Sequence, residues 1–400
     1  MFAYIPYGTL WLLVACLLTI IIYLTIEIVA HNWRLKKIAI RVHVNGTRGK
    51  SSVTRLIAAG MRAGNIITCS KTTGTVPRFI DPYGNEFPIY RPLSSNIIEQ
   101  IKIIKFAMQY KPKALVIECM ALQPHLQSLA ELKLIKATHG VITNTRADHL
   151  DVMGPHERDV ALALAGTVPK KALLFTCERR HIDALNFAAH DRNTKLIKVQ
   201  QHDIDAISEQ TMQRFTYEEH KENVALALKV CESAGVTKEI ALDGMINSTP
   251  DVGVTTINKI TFQNRKLIFI NGFAANDPES SEQLWNKFTN KFFDIPCKVL
   301  IINCRADRKQ RSEQLASVIK TWQAPQLLYA IGTGTFVFTN IAKNYLHNDI
   351  NLFAAENWNS EQLLTHIISA TDKSDILLVG LGNIAGIGLD LLEYFQKRKD

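Results

Sequence analysis

The pattern of apolar and polar positions changes character once, near residue 30. Thr9 to Ile26, TLWLLVACLLTIIIYLTI, is an uncharged run of 18 residues, and its extension to Ala30 adds one charge, Glu27. Such a run is long enough to span a bilayer as a helix. A soluble core helix, the alternative, seldom extends so far without a polar face. Tyr4, Tyr7, Trp11 and Trp33 lie near its ends, as interfacial aromatics do. His31, Arg34, Lys36, Lys37 and Arg41 follow it, and no basic residue precedes it. This asymmetry predicts a single-pass anchor at residues 1–37, with everything beyond it on the cytoplasmic side of the membrane. A cleaved signal peptide would need a basic leader, a shorter apolar core and a small-residue cleavage site.

Beyond the anchor, short apolar runs alternate with amphipathic stretches. Predicted strands are Ile38–Val44, Ala114–Glu118, Gly140–Asn144, Ala172–Thr176 and Leu196–Val199, then Leu267–Asn271, Val299–Asn303, Gln326–Ile331 and Ile376–Gly380. Predicted helices include Ser51–Ala63, Ile97–Gln109, Glu219–Ala234, Arg311–Lys320 and Glu361–Ala370. The alternation predicts α/β domains with mainly parallel sheets. Ser-Thr-Pro-Asp-Val-Gly at 248–253 is a turn-rich break. It divides a central domain, 38–250, from a C-terminal one, 251–400.

Composition removes classes more than it adds any. Of 400 residues, 47% are hydrophobic and 21% charged, which excludes disordered and collagen-like chains. Seven cysteines without a CxxC pair argue against a disulfide framework and a zinc ribbon. The net charge of +9 suits acidic partners without choosing one. No aromatic-interleaved basic stripe or nucleic-acid motif is present, so nucleic acid is not expected as a partner.

The sharpest chemical signal is Val44-Asn45-Gly46-Thr47-Arg48-Gly49-Lys50-Ser51-Ser52, between a predicted strand and a predicted helix. Glycines there let backbone N–H groups close on phosphate oxygens, and the helix N-terminus adds partial positive charge. Lys50 would reach the β- and γ-phosphates and the Ser51 hydroxyl would face Mg²⁺. The usual pattern has a further glycine where this chain has Val44, so the loop is a shorter GxxGKS variant. A glycine turn that only caps a helix is the plain alternative. Glu118 ends one apolar run, and Asn144, Asp148, His149 and Asp151 follow another. Ligands of parallel α/β sheets bind beyond the carboxyl ends of strands. A shared sheet would bring Lys50, Ser51, Glu118 and His149 to one crevice, with Mg²⁺ or Mn²⁺ beside a triphosphate. Taken singly, Glu118 reads equally well as a solvated strand end, and Asp148-His149 as a helix cap.

Together these segments resemble the Mur ligase superfamily, through Asn-Gly-Thr-Arg-Gly-Lys-Ser-Ser at 45–52, Val-Ile-Glu at 116–118 and Ile-Thr-Asn-Thr-Arg-Ala-Asp-His-Leu-Asp at 142–151. Within it, the chain is most similar to the CapB/PgsB branch, the ligase subunits of poly-γ-glutamate synthesis. That likeness rests on Lys-Thr-Thr-Gly-Thr at 71–75, Glu-Cys-Met-Ala at 118–121 and Asp-His-Leu-Asp-Val-Met-Gly-Pro at 148–155. Asn-Gly-Phe-Ala-Ala-Asn-Asp at 271–277, Asn-Cys-Arg-Ala-Asp-Arg at 303–308 and Gly-Asn-Ile at 382–384 extend it.

The resemblance implies a P-loop central domain, a smaller Rossmann-like C-terminal domain and an ATP-dependent carboxylate–amine ligase that works through an acyl phosphate and releases ADP. Carried over by position, residues Asn45, Gly46, Thr47, Arg48, Gly49, Lys50, Ser51 and Ser52 would hold ATP, with Asn223 at adenine and Asn276 and Asp277 facing the nucleotide. Lys50, Glu118 and His149 would be catalytic, with Ser51 and Glu118 on one Mg²⁺ and His149 on a second. Lys71, Thr73, Asp148, Arg305 and Arg308 are added as substrate-facing candidates. Glutamate or a glutamyl polymer is the implied substrate. Other membrane subunits of a synthase and export complex are implied partners, since one helix forms no pore, and a homo-oligomer is left open.

Three departures stand out. Many relatives carry a metal-supporting lysine about fifteen residues after the histidine, where this chain has Ala163 and Leu164, and Lys170 lies too far on. A phosphate-contacting arginine just after the boundary turn is replaced by Val254 and Thr255. The superfamily's Asp-Tyr-Ala-His-Asn-Pro reads Gly-Phe-Ala-Ala-Asn-Asp at 272–277. Two further glycine motifs do not amount to sites. Gly380-Leu-Gly382-Asn-Ile-Ala-Gly386 has only 14 residues after it, too few for a dinucleotide unit, and predicts tight strand–helix packing or an interface loop. Gly332-Thr-Gly334 is too short to weigh. Arg305, Asp307, Arg308 and Arg311 read as a solvated charge run or as a hold for an acidic substrate. Two rival activities use the same loop: a membrane-anchored P-loop ATPase that assembles a complex without ligation, and a folylpolyglutamate-type ligase.

Overall fold

The computed structural model describes residues 7–74, 76–91, 95–251, 254–275, 278–345 and 350–398. The first element is a single helix, α1 (Tyr7–Lys37). Among the described residues it is the one helix long and apolar enough to cross a membrane. Its apolar side chains from Leu10 to Val29 lie largely exposed, whereas Leu35 and His31 are buried. That lower end docks on the fold behind it. His31 Nε2 lies 2.8 Å from the Leu134 carbonyl oxygen, and Lys136 Nζ donates to Asn32 Oδ1 at 2.7 Å.

The chain forms two compact units, residues 1–214 with 219–249, and residues 215–218 with 250–400. The strands of the first are β1 (Ile40–Asn45), β2 (Thr68–Thr72), β3 (Arg78–Ile80), β4 (Glu86–Pro88), β5 (Ala114–Glu118), β6 (His139–Ile142), β7 (Leu173–Thr176) and β8 (Lys195–Lys198). They lie in the order β4-β3-β2-β5-β1-β6-β7-β8. Pairing is parallel except at β2–β3 and β3–β4. The central strand β5, Ala-Leu-Val-Ile-Glu, is buried along its whole length, which accounts for its apolar run. Helix α2 (Lys50–Ala63) follows β1 and packs against the helices Lys221–Ser233 and Lys238–Ile246. The approach is close: a Cβ at Gly244 would lie 2.7 Å from the Ala59 carbonyl oxygen.

The second unit holds β9 (Thr256–Phe262), β10 (Arg265–Asn271), β11 (Cys297–Cys304), β12 (Leu327–Gly332), β13 (Asn351–Glu356) and β14 (Asp375–Leu381), in the order β13-β12-β11-β14-β10-β9. Only β9–β10 is antiparallel among these pairs. Buried rings, among them Trp285, Phe338, Tyr329, Phe269 and Phe395, fill its two faces. Gly380 sits against the Phe273 ring, where a Cβ would meet Cζ at 2.5 Å. The glycine motif beginning there is therefore close packing between β14 and its neighbours. All seven cysteines are free thiols and five are buried.

Several sequence expectations shift in detail. The strand expected over Gly140–Asn144 stops at Ile142, which leaves Thr143 and Asn144 free to bond elsewhere. The helix expected over Ile97–Gln109 is α3 (Glu99–Ala107) followed by a 3₁₀ turn, Met108–Tyr110. Five strands, β2, β3, β4, β9 and β13, add to those read from the sequence.

Candidate active site

β1 leaves the sheet at Asn45 and turns through Gly46-Thr47-Arg48-Gly49 into α2. Gly46 has φ +133° and Gly49 φ +83°. A Cβ at Gly46 would meet Thr143 Oγ1 at 2.0 Å, and one at Gly49 would meet Asn223 Oδ1 at 2.8 Å. Both positions therefore need glycine. Gly49 also caps α2 and supplies no side chain to the first-turn N–H groups, so the positive helix end is turned to the loop. Lys50 Nζ donates to the carbonyls of Gly46 (2.6 Å) and Thr47 (3.1 Å).

The loop is fastened from β6. The Thr47 hydroxyl donates to Asn144 Oδ1 at 2.5 Å, and Thr47 N–H to the Asn144 carbonyl at 3.1 Å. Thr143 Oγ1 donates to the Arg48 carbonyl at 2.6 Å, and Arg146 N–H to Thr47 Oγ1 at 3.0 Å. Asn45 turns inward instead, donating to Gln127 Oε1 at 2.8 Å and Thr167 Oγ1 at 3.2 Å. It thus offers the loop its backbone rather than its side chain. Behind β1, His43 Nδ1 pairs with Glu131 Oε2 at 2.8 Å. Burial works against charge on this imidazole, but the Cys119 thiol and the Glu131 carboxylate prevail and raise its pKa to about 9.

Glu118 ends β5, the neighbour of β1, and is 2% exposed. Its Oε2 accepts from Ser51 Oγ at 2.9 Å and from Thr73 N–H at 2.6 Å. A hydroxyl and a carboxylate side by side are hard oxygen donors. Among the described residues no cluster of three or more His, Cys, Asp or Glu side chains forms a metal cage. That donor set fits Mg²⁺, which takes one or two carboxylates and completes its shell with phosphate oxygens and water.

The remaining expected residues divide. Asn223 comes to the loop at Gly49 and donates to Glu219 Oε1 at 2.8 Å. The Glu219 carboxyl is pushed up by burial, against hydrogen bonds from Asn223, His220 and Ser52. Asp148 stands 4.0 Å from Arg48 Nε and 3.9 Å from His149 Nε2. His149 itself has φ +48° and opens the short helix Leu150–Met153. Its ionic contact is Asp148, not Ser51 or Glu118. Lys71 departs from its expected exposure to substrate. It is 0% exposed, and its Nζ pairs with Glu99 Oε1 at 2.7 Å and donates to Gln100 Oε1 at 3.1 Å. A substrate would have to displace a carboxylate to reach it. Burial pulls its pKa down, against the pull of Glu99. Arg305 and Arg308 belong to the second unit and flank Asp307, Arg305 with two bonds at 2.9 and 2.6 Å and Arg308 at 4.0 Å. Asn276, Asp277 and Thr75 lie outside the described residues. Ala163 and Leu164, where relatives carry the lysine, are buried apolar residues.

Two acids that matter to the geometry escaped the sequence reading. Glu178, past β7, binds Thr145 N–H at 2.7 Å. It follows the same strand-end rule that singled out Glu118, and that rule would have found it. Glu219 carried no comparable signal.

Comparison with known proteins follows these features. Residues 44–247 match the Mur ligase middle domain, and residues 257–398 match the poly-gamma-glutamate synthase CapB C-terminal domain. The chain is 35% identical over 386 residues to the capsule biosynthesis protein CapB of Bacillus anthracis, covering 96% of this chain and 82% of that one. It is 31% identical over 395 residues to the PGA synthase CapB of Bacillus subtilis (strain 168), covering 98% of each. Among solved structures, the bifunctional folylpolyglutamate synthase/dihydrofolate synthase of Yersinia pestis, complexed with AMPPNP and Mn ion, has a similar fold. Its TM-score is 0.61 at 13% identity, over 92% of each chain.

Proposed function

The chain belongs to the Mur ligase family, with a C-terminal domain of the poly-γ-glutamate synthase CapB type, and on that premise we propose that it is the ATP-dependent amide ligase of poly-γ-glutamate synthesis. The observation that carries the catalytic part of this reading is the Ser51–Glu118 hydrogen bond of 2.9 Å beside the phosphate loop. It supports the reading because a nucleotide-bound cation would use a hydroxyl and a carboxylate side by side.

In this reading a substrate carboxylate attacks the γ-phosphorus of ATP, the bond to ADP breaks, and an acyl phosphate results. The α-amine of glutamate then attacks the acyl carbon, phosphate leaves with the C–O electron pair, and the amine loses a proton. Carboxylates need such activation because oxide is a poor leaving group. The loop N–H groups and Lys50 stabilise charge on the transferring phosphoryl group, with Lys50 exchanging its two carbonyl partners for phosphate oxygens. Mg²⁺, or Mn²⁺ in its place, would be held by Ser51 and Glu118 and would supply charge neutralisation across the phosphates. His149 is assigned to a second cation. Residues 1–37 serve as the anchor in the bacterial cytoplasmic membrane, 38–250 as the nucleotide-binding domain and 251–400 as the second ligase domain. Export of a polymer calls for further membrane subunits beside this chain.

The test is ³¹P NMR of membranes containing the full chain and its partner subunits, given ATP and Mg²⁺ with and without glutamate. Glutamate-dependent ADP and phosphate are expected. Lys50→Ala should lower that rate by about 10²–10³-fold, as loss of one preorganised electrostatic group does. Equal release of ADP without glutamate would favour an ATPase that does not ligate, and AMP with pyrophosphate would reject the acyl-phosphate route.

A further inference from the structure

Glu178 lies just beyond β7, and its carboxylate serves five donors. Oε2 accepts from Thr145 N–H at 2.7 Å and Thr145 Oγ1 at 2.9 Å. Oε1 accepts from the N–H groups of Arg179 (2.9 Å), Arg180 (2.7 Å) and His181 (3.1 Å). The two oxygens do different things. Oε1 closes the turn that leads into the helix Ile182–Asp191, so the carboxylate is fixed to its own strand exit. Oε2 reaches across to the loop after β6.

Thr145 is the pivot of that loop. On one side of it, Asn144 accepts the Thr47 hydroxyl; on the other, the Arg146 N–H donates to Thr47 Oγ1. A continuous line of short bonds therefore runs from the end of β7, through Glu178 and Thr145, to the middle of the phosphate loop. Thr145 is wholly buried and Glu178 nearly so. Burial opposes charge on Glu178, but the hydrogen bonds from His181, Thr145 and Arg180 outweigh it and hold the carboxyl below the usual glutamate range.

We propose that Glu178 is a positioning residue for the nucleotide: it fixes the 143–146 loop, which holds the phosphate loop in the shape that receives a triphosphate. It does this without touching substrate. Ordering a loop in advance removes an entropic cost that binding would otherwise meet. The proposal rests on the reading that this loop binds ATP.

Glu178→Gln isolates the effect. The amide NH₂ must face either three backbone N–H groups or the donors of Thr145. The second orientation opposes fewer donors, so the turn stays closed while the tie to Thr145 is lost. The experiment measures KM for ATP, kcat and thermal midpoint on the full chain with its partners, for Glu178→Gln, Thr145→Val and Lys50→Ala. Glu178→Gln should raise the ATP KM by about tenfold, with a smaller change in kcat, as expected when a buried donor loses its acceptor. Thr145→Val removes only the hydroxyl and should raise it by about two- to threefold, and it carries the test should Glu178→Gln fail to fold. A lowered midpoint with both KM values unchanged from the parent would make Glu178 merely structural and overturn the proposal. Lys50→Ala separates the two readings. If it leaves ATP turnover intact, the phosphate-loop assignment itself is wrong; if it abolishes turnover while Glu178→Gln and Thr145→Val leave KM unmoved, only the positioning role is.

Discussion

The two units each place a glycine turn between a parallel strand and a helix, and they finish it in opposite ways. After β1, Gly49 caps α2 and has no side chain of its own to give the first-turn N–H groups. After β12, Gly334 caps the helix Thr335–Ala342 with φ +69°. There, however, Glu356 from the end of β13 reaches the Gly334 N–H at 2.8 Å and the Thr335 hydroxyl at 2.7 Å. One helix end is capped by a bare glycine and the other is closed by a carboxylate from the neighbouring strand. The lesson concerns more than spacing. A glycine-rich turn becomes an anion site only where the adjoining strand end withholds its acid. Glu118, the acid beside α2, is turned to Ser51 and Thr73 N–H.

This contrast can be broken at the loop itself. Gly46→Ala should introduce about 1–3 kcal/mol of backbone strain, with Thr143 Oγ1 only 2.0 Å from the new Cβ. Its ATP KM should rise sharply in steady-state assays. Gly386→Ala, at φ +67° with nothing within 4 Å of its Cβ, should leave that KM unchanged; equal KM shifts in the two variants would remove the distinction. Glu356→Ala comes next. Losing this helix-end carboxylate should lower stability in urea by about 1 kcal/mol, without altering the ATP KM. The Thr335 hydroxyl and Gly334 N–H hold the Glu356 carboxyl below its ordinary value of 4.5. Its contribution is therefore complete above that pH and lost as pH falls through the lowered value. The urea difference between parent and variant should close over the same acidic range. The smallest effect is Arg308→Ala, an exposed partner of Asp307, which should change stability by less than about 0.5 kcal/mol. A raised glutamate KM in that variant would assign the cation to the acidic substrate.

Much of this was legible because the central strands advertise themselves. β5 carries an apolar run ended by Glu118, β1 alternates up to Asn45, and the glycine loop after β1 is legible from residue types alone. β2 was hidden because Thr-Cys-Ser-Lys-Thr is polar, yet every residue in it is buried. Its neighbours, not its hydropathy, put it in the sheet. β3 and β4 are three residues each, too short for an alternation to register. The burial of Lys71 was hidden for a related reason. Its partner Glu99 lies 28 positions on, and long-range pairing has no local signature. His149 shows the limit from the other side, for the motif names the residue while its left-handed backbone and its turn toward Asp148 emerge only in three dimensions.

The helix that begins the chain has no break between its exposed apolar stretch and its docked end. Lys37 lies ten positions after Glu27, about 15 Å along the helix, and His31 and Leu35 are already seated in the first unit. Seated in a bilayer as proposed, such a mast would not let its cargo wander. A flexible tether would allow a catalytic head to sample a hemisphere above its attachment point. A stiff one confines it to a single height and a single tilt, so that each added residue of a growing polymer would be released at the same distance from the bilayer, within reach of the same exit.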